Sequence, residues 1–342
     1  MIQPINSPKR ILPPSLNSWR AFSGLAIVCL ALPVSASSAS ALPQESASQL
    51  SKASADPQQP SNGAIPFPAA ARELIQEKRW DDASVTLEKA AQSDPSDVNA
   101  WYWLGVARLQ LHENVAAVRA LRVAQKGGME TAAIHTELGH AYYGLHQYFL
   151  FEQQMQVASQ LDPRNADAKY SLGLYRLQVL SDVAGASKLF HAAAELQPDD
   201  WRSSYQIGYC LELSAKPEEA RQVYLKDIQL LQAKRASFGW PYQGMARLLL
   251  DDSPQEALRY AKQAVELEPG EYSNHLTLAK VYEKLGDVEN ATAEGRIAAD
   301  QNPTNAPVRY FLFRLYRRTG DSASAQKEML AFERLRAAYG SE

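Results

Sequence analysis

The sequence predicts an all-α solenoid of about eight stacked helix-turn-helix hairpins, and three observations predict it. Alanine recurs at Ala83, Ala117, Ala186, Ala220, Ala257, Ala291 and Ala325, with Phe151 at the remaining place, a period of about 34 residues. Each interval holds two helical apolar patterns separated by a short polar break. Many intervals close on a proline: Asp94-Pro95, Asp162-Pro163, Gln197-Pro198, Glu268-Pro269 and Asn302-Pro303. Proline lacks an N–H and restricts the residue before it, so it ends a second helix and turns the chain into the next hairpin. One such hairpin cannot bury its own apolar face, and stacking follows.

In chain order, the first element is an export signal over residues 1–41. Lys9, Arg10 and Arg20 precede an apolar run at residues 21–34, and no acid occurs in this stretch. A spanning helix needs about 20 apolar residues, so the run is too short for a confident anchor. Ala39-Ser40-Ala41 and Val34-Ser35-Ala36 both fit a small-x-small cleavage site. An exported, periplasmic or secreted bacterial protein is therefore expected, with an uncleaved membrane anchor as the alternative. Residues 42–63 are rich in Ser, Gln, Pro and Ala and are expected to form a flexible linker. The solenoid is expected over residues 64–340.

Composition limits the partners. The chain has 342 residues, with 35 basic against 38 acidic, a formal charge of -3. Removing the signal leaves 32 against 38, or -6, which gives no general attraction for nucleic acid or anionic lipid. It also removes Cys29 and leaves Cys210 without a disulfide partner, so packing alone must hold the fold.

Within the solenoid, units start near residues 64, 98, 132, 166, 201, 238, 272 and 306. The break between helices is clearest at Leu285-Gly286-Asp287-Val288 and Thr319-Gly320-Asp321-Ser322, where glycine ends one helix and Asp or Ser starts the next. Trp101, Leu104-Gly105, Ala117, Leu121 and Ala124 carry a pattern that repeats as Leu138-Gly139, Tyr142, Ala158, Pro163 and as Leu278-Ala279, Tyr282, Ala291, Ala298, Pro303. In this pattern the chain resembles the tetratricopeptide repeat family over about residues 64–339. The resemblance implies a right-handed superhelix whose first helices line a concave groove. Gly105, Gly139, Gly173 and Gly208 then permit close helix approach.

Several units depart from the pattern. Phe151 in place of the packing alanine predicts that the third hairpin opens or shifts. The fourth unit has one extra residue between Gly173 and Ala186. Asp227 at a small-apolar position, with no closing proline, predicts a bend or loosened joint over residues 226–237. Phe313 and Phe332 in the last unit suit a modified cap or a dimer contact.

By resemblance, the fifth place of each unit faces the groove, and it holds Tyr102, Tyr170, Tyr205, Tyr242 and Tyr310. Tyrosine gives flat apolar area with a polar tip, suited either to a bound peptide or to packing between first helices. At the C-terminal end Arg309, Arg314, Arg317 and Arg318 share one first helix, with Lys280 and Lys284 a unit earlier. Residues 314, 317 and 318 share a helical face. They suit a carboxylate, from an acidic motif or a chain terminus, or else form a solvated face balanced by Glu283 and Asp321. The Lys and Asn arrangement of the family's carboxylate clamp is not reproduced.

No catalytic residue, cofactor or metal site is expected. His135, His140 and His146 are five and six apart, not the three or four that places two ligands on one helix face. No phosphate loop, nucleophile elbow or HExxH occurs. Cys210 reads as a small buried hydrophobe. The sequence thus predicts a non-catalytic scaffold that holds a peptide or protein segment in the concave groove. Its alternatives are a structural adaptor of a bacterial cell-envelope assembly and an accessory module for an envelope enzyme.

Overall fold

The computed structural model describes residues 65–339; the predicted signal and the whole of the linker lie outside them. Among the described residues there are sixteen α-helices and no strand. They pair into eight hairpins: α1 (Arg72–Gln76) with α2 (Trp80–Ser93), α3 (Val98–Gln110) with α4 (Asn114–Lys126), α5 (Ala132–Gly144) with α6 (Tyr148–Leu161) and α7 (Ala166–Gln178) with α8 (Val183–Leu196). The second half pairs α9 (Trp201–Leu213) with α10 (Pro217–Lys234), α11 (Trp240–Leu248) with α12 (Pro254–Leu267), α13 (Tyr272–Leu285) with α14 (Val288–Gln301) and α15 (Ala306–Thr319) with α16 (Ser322–Tyr339). This is the all-α, right-handed solenoid that the repeat predicts.

Local chemistry sets the helix ends. A short polar residue precedes most first helices and accepts from their orphan N–H groups: Asp97 from Asn99 and Ala100, Asn165 from Ala168, Asn305 from Val308. Between the helices of every hairpin but the sixth one residue turns left-handed. Gly286 and Gly320 do so in the last two units, as their type suggests. In five earlier units the residue is Lys78, His112, His146, Ser181 or Ala215, so glycine is not required for this turn.

Inside the second to fifth hairpins the second helix drives one side chain against a first-helix glycine. A methyl on Gly105 would meet Leu121, on Gly139 Met155, on Gly173 the Phe190 ring and on Gly208 the Tyr224 ring. The packing alanines are fully buried beside them.

Phe151 corrects one expectation. Its hairpin does not open: α5 packs on α6 as closely as α3 on α4. The ring points past the hairpin and lies between Tyr143 and Tyr175, at 5.1 and 5.2 Å. The extra volume is taken up at the next joint, where α6 meets α7 over less contact than at any other joint after the first unit.

The bend or loosened joint expected over residues 226–237 is not seen as a loosening, since α10 meets α11 over as much contact as α14 meets α15. Helix α10 runs on to Lys234 and stops at Arg235 with φ of 52°. The apolar core divides in the same unit, Ile207 and Cys210 belonging to one cluster and Tyr205 and Tyr224 to the next. At the N-terminal end the first hairpin is short, and residues 65–68 lie against α3: Trp103 donates Nε1–H to the Pro66 carbonyl at 3.0 Å, and Phe67 stacks on it at 4.5 Å.

Candidate functional site

First helices of successive units touch one another directly, α3 with α5, α5 with α7, α9 with α11 and α11 with α13. They therefore occupy the tighter, inner side of the solenoid. Polar contacts run along this seam. Between α5 and α7, His140 Nε2 lies 2.9 Å from Ser171 Oγ and the Tyr143 hydroxyl donates to Gln178 at 3.0 Å. Between α7 and α9, Arg202 reaches Asp167 at 3.3 Å, binds Asp200 at 2.7 Å and lies 5.1 Å over the Tyr170 ring. Between α9 and α11, Arg247 binds both oxygens of Glu212 at 2.6 and 3.0 Å, donates to the Tyr205 hydroxyl at 3.3 Å and covers Tyr209 at 5.2 Å. Lys284 of α13 then reaches back to Asp251 at 2.6 Å, and Arg314 of α15 donates to both oxygens of Glu283 at 2.7 and 2.9 Å.

From the fourth unit on, the acid comes from the earlier unit and the base from the later one. Arg247 illustrates why these bases remain charged. Burial alone would lower its pKa, but Tyr205, Glu212 and Tyr224 around it hold it well above the ordinary arginine range.

The five tyrosines divide. Tyr102, Tyr170, Tyr205 and Tyr242 are buried in the seam, whereas Tyr310 is 43% exposed. The Tyr205 hydroxyl donates to Gln243 at 3.0 Å, and the Tyr242 hydroxyl accepts from Gln232 at 3.4 Å. Successive first helices close over these rings, so the packing role the sequence allowed for is present in four of them. Tyr310 packs on Phe313 and Phe332 at 5.7 and 5.2 Å, an aromatic group at the open end of the solenoid.

Lys280, Lys284, Arg314, Arg317 and Arg318 are exposed, whereas Arg309 is largely buried. Arg314 and Arg318 converge on Glu283, which stands where a ligand carboxylate was expected. Arg317 lies 5.7 Å over the Phe313 ring, and Lys280 is exposed. Arg309 is drawn away to Glu328 at 3.2 Å and to the Ala299 carbonyl.

Histidine and cysteine have structural surroundings. His135 bridges Glu130 and Gln154, and His275 bridges Glu294 and the Pro269 carbonyl. His112 and His146 form left-handed turns. Among the described residues no group of three or more His, Cys, Asp or Glu is placed to hold a metal. Burial pushes the Cys210 thiol up to about 12, where it is protonated and inert.

Sequence reading missed Glu137, Asp167, Arg202, Glu212 and Arg247. Their signal was available in the second, sixth, tenth and twelfth places of the units, whereas the reading followed the fifth.

Glu137 lies buried in α5, its carboxylate 3.4 Å from His140 Nδ1. Asp167 is one-third exposed at its side chain. Burial raises its pKa, against the charges of Arg202 and His140, with Asp200 and Glu137 adding to the rise.

A peroxisomal targeting signal receptor of Eremothecium gossypii is 26% identical over 185 residues, 44% of this chain and 32% of the receptor. The chain thus spans about a third of the length of that relative. Three solved structures share the fold. A tetratricopeptide repeat protein from Parabacteroides merdae has a TM-score of 0.57 at 13% identity, covering 79% of this chain and 98% of that one. The APC/C hetero-tetramer Cut9–Hcn1 has 0.59 at 14%, covering 80% and 52%. Yeast Tom70 has 0.58 at 15%, covering 87% and 69%. The family model described as the tetratricopeptide repeat matches residues 69–130, 176–229 and 245–306, more than half of the sequence, and the chain belongs to that family.

Proposed function

We infer that this chain is a non-catalytic protein-interaction scaffold that holds a segment of a partner protein along the inner face of its first helices. One observation carries the reading: the inner seam is lined with charged and hydroxylic groups from α5 to α15, where a purely structural seam would be apolar. Taking such groups out of water costs about 1–3 kcal/mol each unless they are paired, and replacing buried ion pairs with apolar side chains is often neutral or stabilising. A seam built only for stability has no need of them. A relative named as a targeting signal receptor and the hetero-tetramer Cut9–Hcn1 are in keeping with partner binding.

The partner's acidic or carboxylate-bearing end would meet Arg314, Arg317 and Arg318 in competition with Glu283, while Tyr310 offers apolar area beside them. Screening over about 8–10 Å makes that contact weaken with salt. The N-terminal residues would direct export to the periplasm, with mature chains expected to begin at Leu42 or Ser37. Mass measurement of the purified chain checks this, and a retained Met1 would show an uncleaved or unexported form.

The reading is tested by photo-crosslinking in the cell envelope. A benzoylphenylalanine replaces Tyr310 on the inner side in one chain and Phe149, which is 78% exposed on second helix α6, in another. A partner crosslinked from 310, and lost when Arg314→Glu and Arg317→Glu are added, is expected. Crosslinks only from 149 would move binding to the outer face. A second reading, a structural adaptor joined through the C-terminal unit, draws on exposed Tyr310 with the half-buried Phe313 and Phe332 beside it. Loss of self-association or assembly in Phe332→Asp, with the inner face intact, would favour it.

A further inference from the structure

The first unit opens on an extended segment where every later unit has helix. Later first helices run for at least 9 residues, whereas α1 has 5. Residues 65–68, with the sequence Ile-Pro-Phe-Pro, precede it and lie against α3. Their contacts centre on Trp103. Its indole donates Nε1–H to the Pro66 carbonyl at 3.0 Å, and the Phe67 ring lies 4.5 Å away with 41° between the planes. Tyr102, buried in the seam, meets the same indole edge-on at 5.3 Å. Trp103 stands at the sixth place of its unit, where the next four units carry Glu137, Ser171, Gln206 and Gln243. The second to sixth units therefore build this aromatic seat once.

The segment seated there is held by little else. Two of its four residues are prolines, which have no N–H to donate. Among the described residues its one backbone–backbone hydrogen bond is local, the Pro68 carbonyl accepting from Ala71 at 3.1 Å. Ile65 and Phe67 are partly buried and Pro66 is exposed. Pro68 has φ of -56° and ψ of 134°, the polyproline II conformation. A chain in that conformation keeps its backbone in water and docks through rings and single carbonyls on aromatic side chains. A buried indole needs an acceptor for its N–H, so any segment that replaces this one must bring a carbonyl as well as a ring.

We propose that Trp103 is the seat of an extended proline–aromatic segment of a partner protein, and that residues 65–68 fill it in the free chain as an internal competitor. The partner segment displaces Phe67 and Pro66, setting its own ring on the indole and its own carbonyl on Nε1–H. Its apparent affinity is reduced by the fraction of chains whose seat is already filled, so the contact sets a threshold for binding. The proposal deepens the reading of the chain as a holder of partner segments and rests on it.

The probe is the capped peptide Ala-Ile-Pro-Phe-Pro-Ala, the sequence of residues 64–69, titrated calorimetrically into the full chain. Phe67→Ala is expected to bind it about tenfold more tightly than the unchanged chain, as when a tethered competitor has an effective concentration about ten times the probe's dissociation constant. Adding Trp103→Phe removes the indole N–H and should abolish that gain, as should a probe with alanine in place of phenylalanine. Equal binding to the two chains, no binding to either, or a gain that survives Trp103→Phe would overturn the proposal. Hydrogen exchange of the unchanged chain reads the same contact should Phe67→Ala fail to fold. A displaceable segment leaves the Trp103 indole N–H with protection at least about 100-fold below that of the α3 amides. Equal protection would mean that the segment opens only with its hairpin, and would overturn the proposal. A concentration-dependent dimer dissolved by the probe would replace the partner with a second copy's residues 65–68. Probe binding without any crosslinked partner would sink the scaffold reading and keep the seat, and the converse would do the reverse.

Discussion

Asp227 sits where the repeat places a small apolar side chain, on the side of α10 that meets α9. Ser204 donates to its Oδ1 at 2.8 Å, while Oδ2 is buried with no hydrogen-bond partner. Burial pushes the carboxyl from the ordinary 3.8 up to about 6, against the Ser204 hydrogen bond and the Lys226 charge. The folded chain therefore holds a proton between about pH 4 and 6 that the unfolded chain has released. Stability falls as pH rises through that window, and the cost of the buried charge is fully present above it. Asp227→Asn keeps an acceptor for Ser204 and removes the charge. It is expected to raise the unfolding free energy by about 1–2 kcal/mol at pH 7.5 and to gain nothing below about pH 4. Urea titrations of both chains at a series of pH values check this; a variant with the same advantage at pH 3.5 and 7.5 would show that packing, not charge, is responsible.

At the scale of a helix or hairpin, Phe151 shows how a sequence rule and a structure part company. The repeat asks for alanine there, so restoring it looks favourable. The ring, however, is fully buried between Tyr143 and Tyr175, and the looser α6–α7 joint is built around it. Phe151→Ala leaves a cavity at a joint with few other contacts to collapse into it. It is expected to cost about 3–5 kcal/mol, measured by urea unfolding, and a loss under about 1 kcal/mol would mean the joint closes over the gap. Helix boundaries were legible because proline and the repeat of alanine act within single hairpins. The left-handed turns were legible only at Gly286 and Gly320, since at Lys78, His112, His146, Ser181 and Ala215 the hairpin packing imposes the turn on a residue that does not advertise it. Those residues give up some stability to the turn. Ala215→Gly is accordingly expected to be neutral or to stabilise by up to about 1 kcal/mol, although glycine in an ordinary helix would destabilise by a similar amount. A thermal melt shifted downward by several degrees would contradict this.

Over the whole chain, the inner face was partly legible. Repeat position identified which helices line it, but not that their curvature closes them over Tyr102, Tyr170, Tyr205 and Tyr242. Nor could one unit's sequence reveal a charge ladder whose partners lie a full repeat apart, such as Glu212 with Arg247. The same long-range view exposes a division of the molecule. One apolar cluster runs from Ala71 to Cys210 and a second from Tyr205 to Val281, so α9 contributes to both and neither passes through it unbroken. In a solenoid each unit is stabilised by its neighbours alone, and a break in the core is a weak nearest-neighbour interface. Leu211 of α9 packs against both clusters and Val223 of α10 against the first, and the polar contacts of Arg247 with Glu212 and of Ser204 with Asp227 add to this thin apolar bridge. Native-state hydrogen exchange should therefore resolve two cooperative blocks, with amides of α3–α8 sharing one opening free energy and those of α10–α13 another. One common value across both would mean that the polar contacts couple the halves as tightly as a continuous core. A segment bound along the inner face from Asp167 to Arg247 would bridge the division, and its binding is then expected to bring the two opening free energies together.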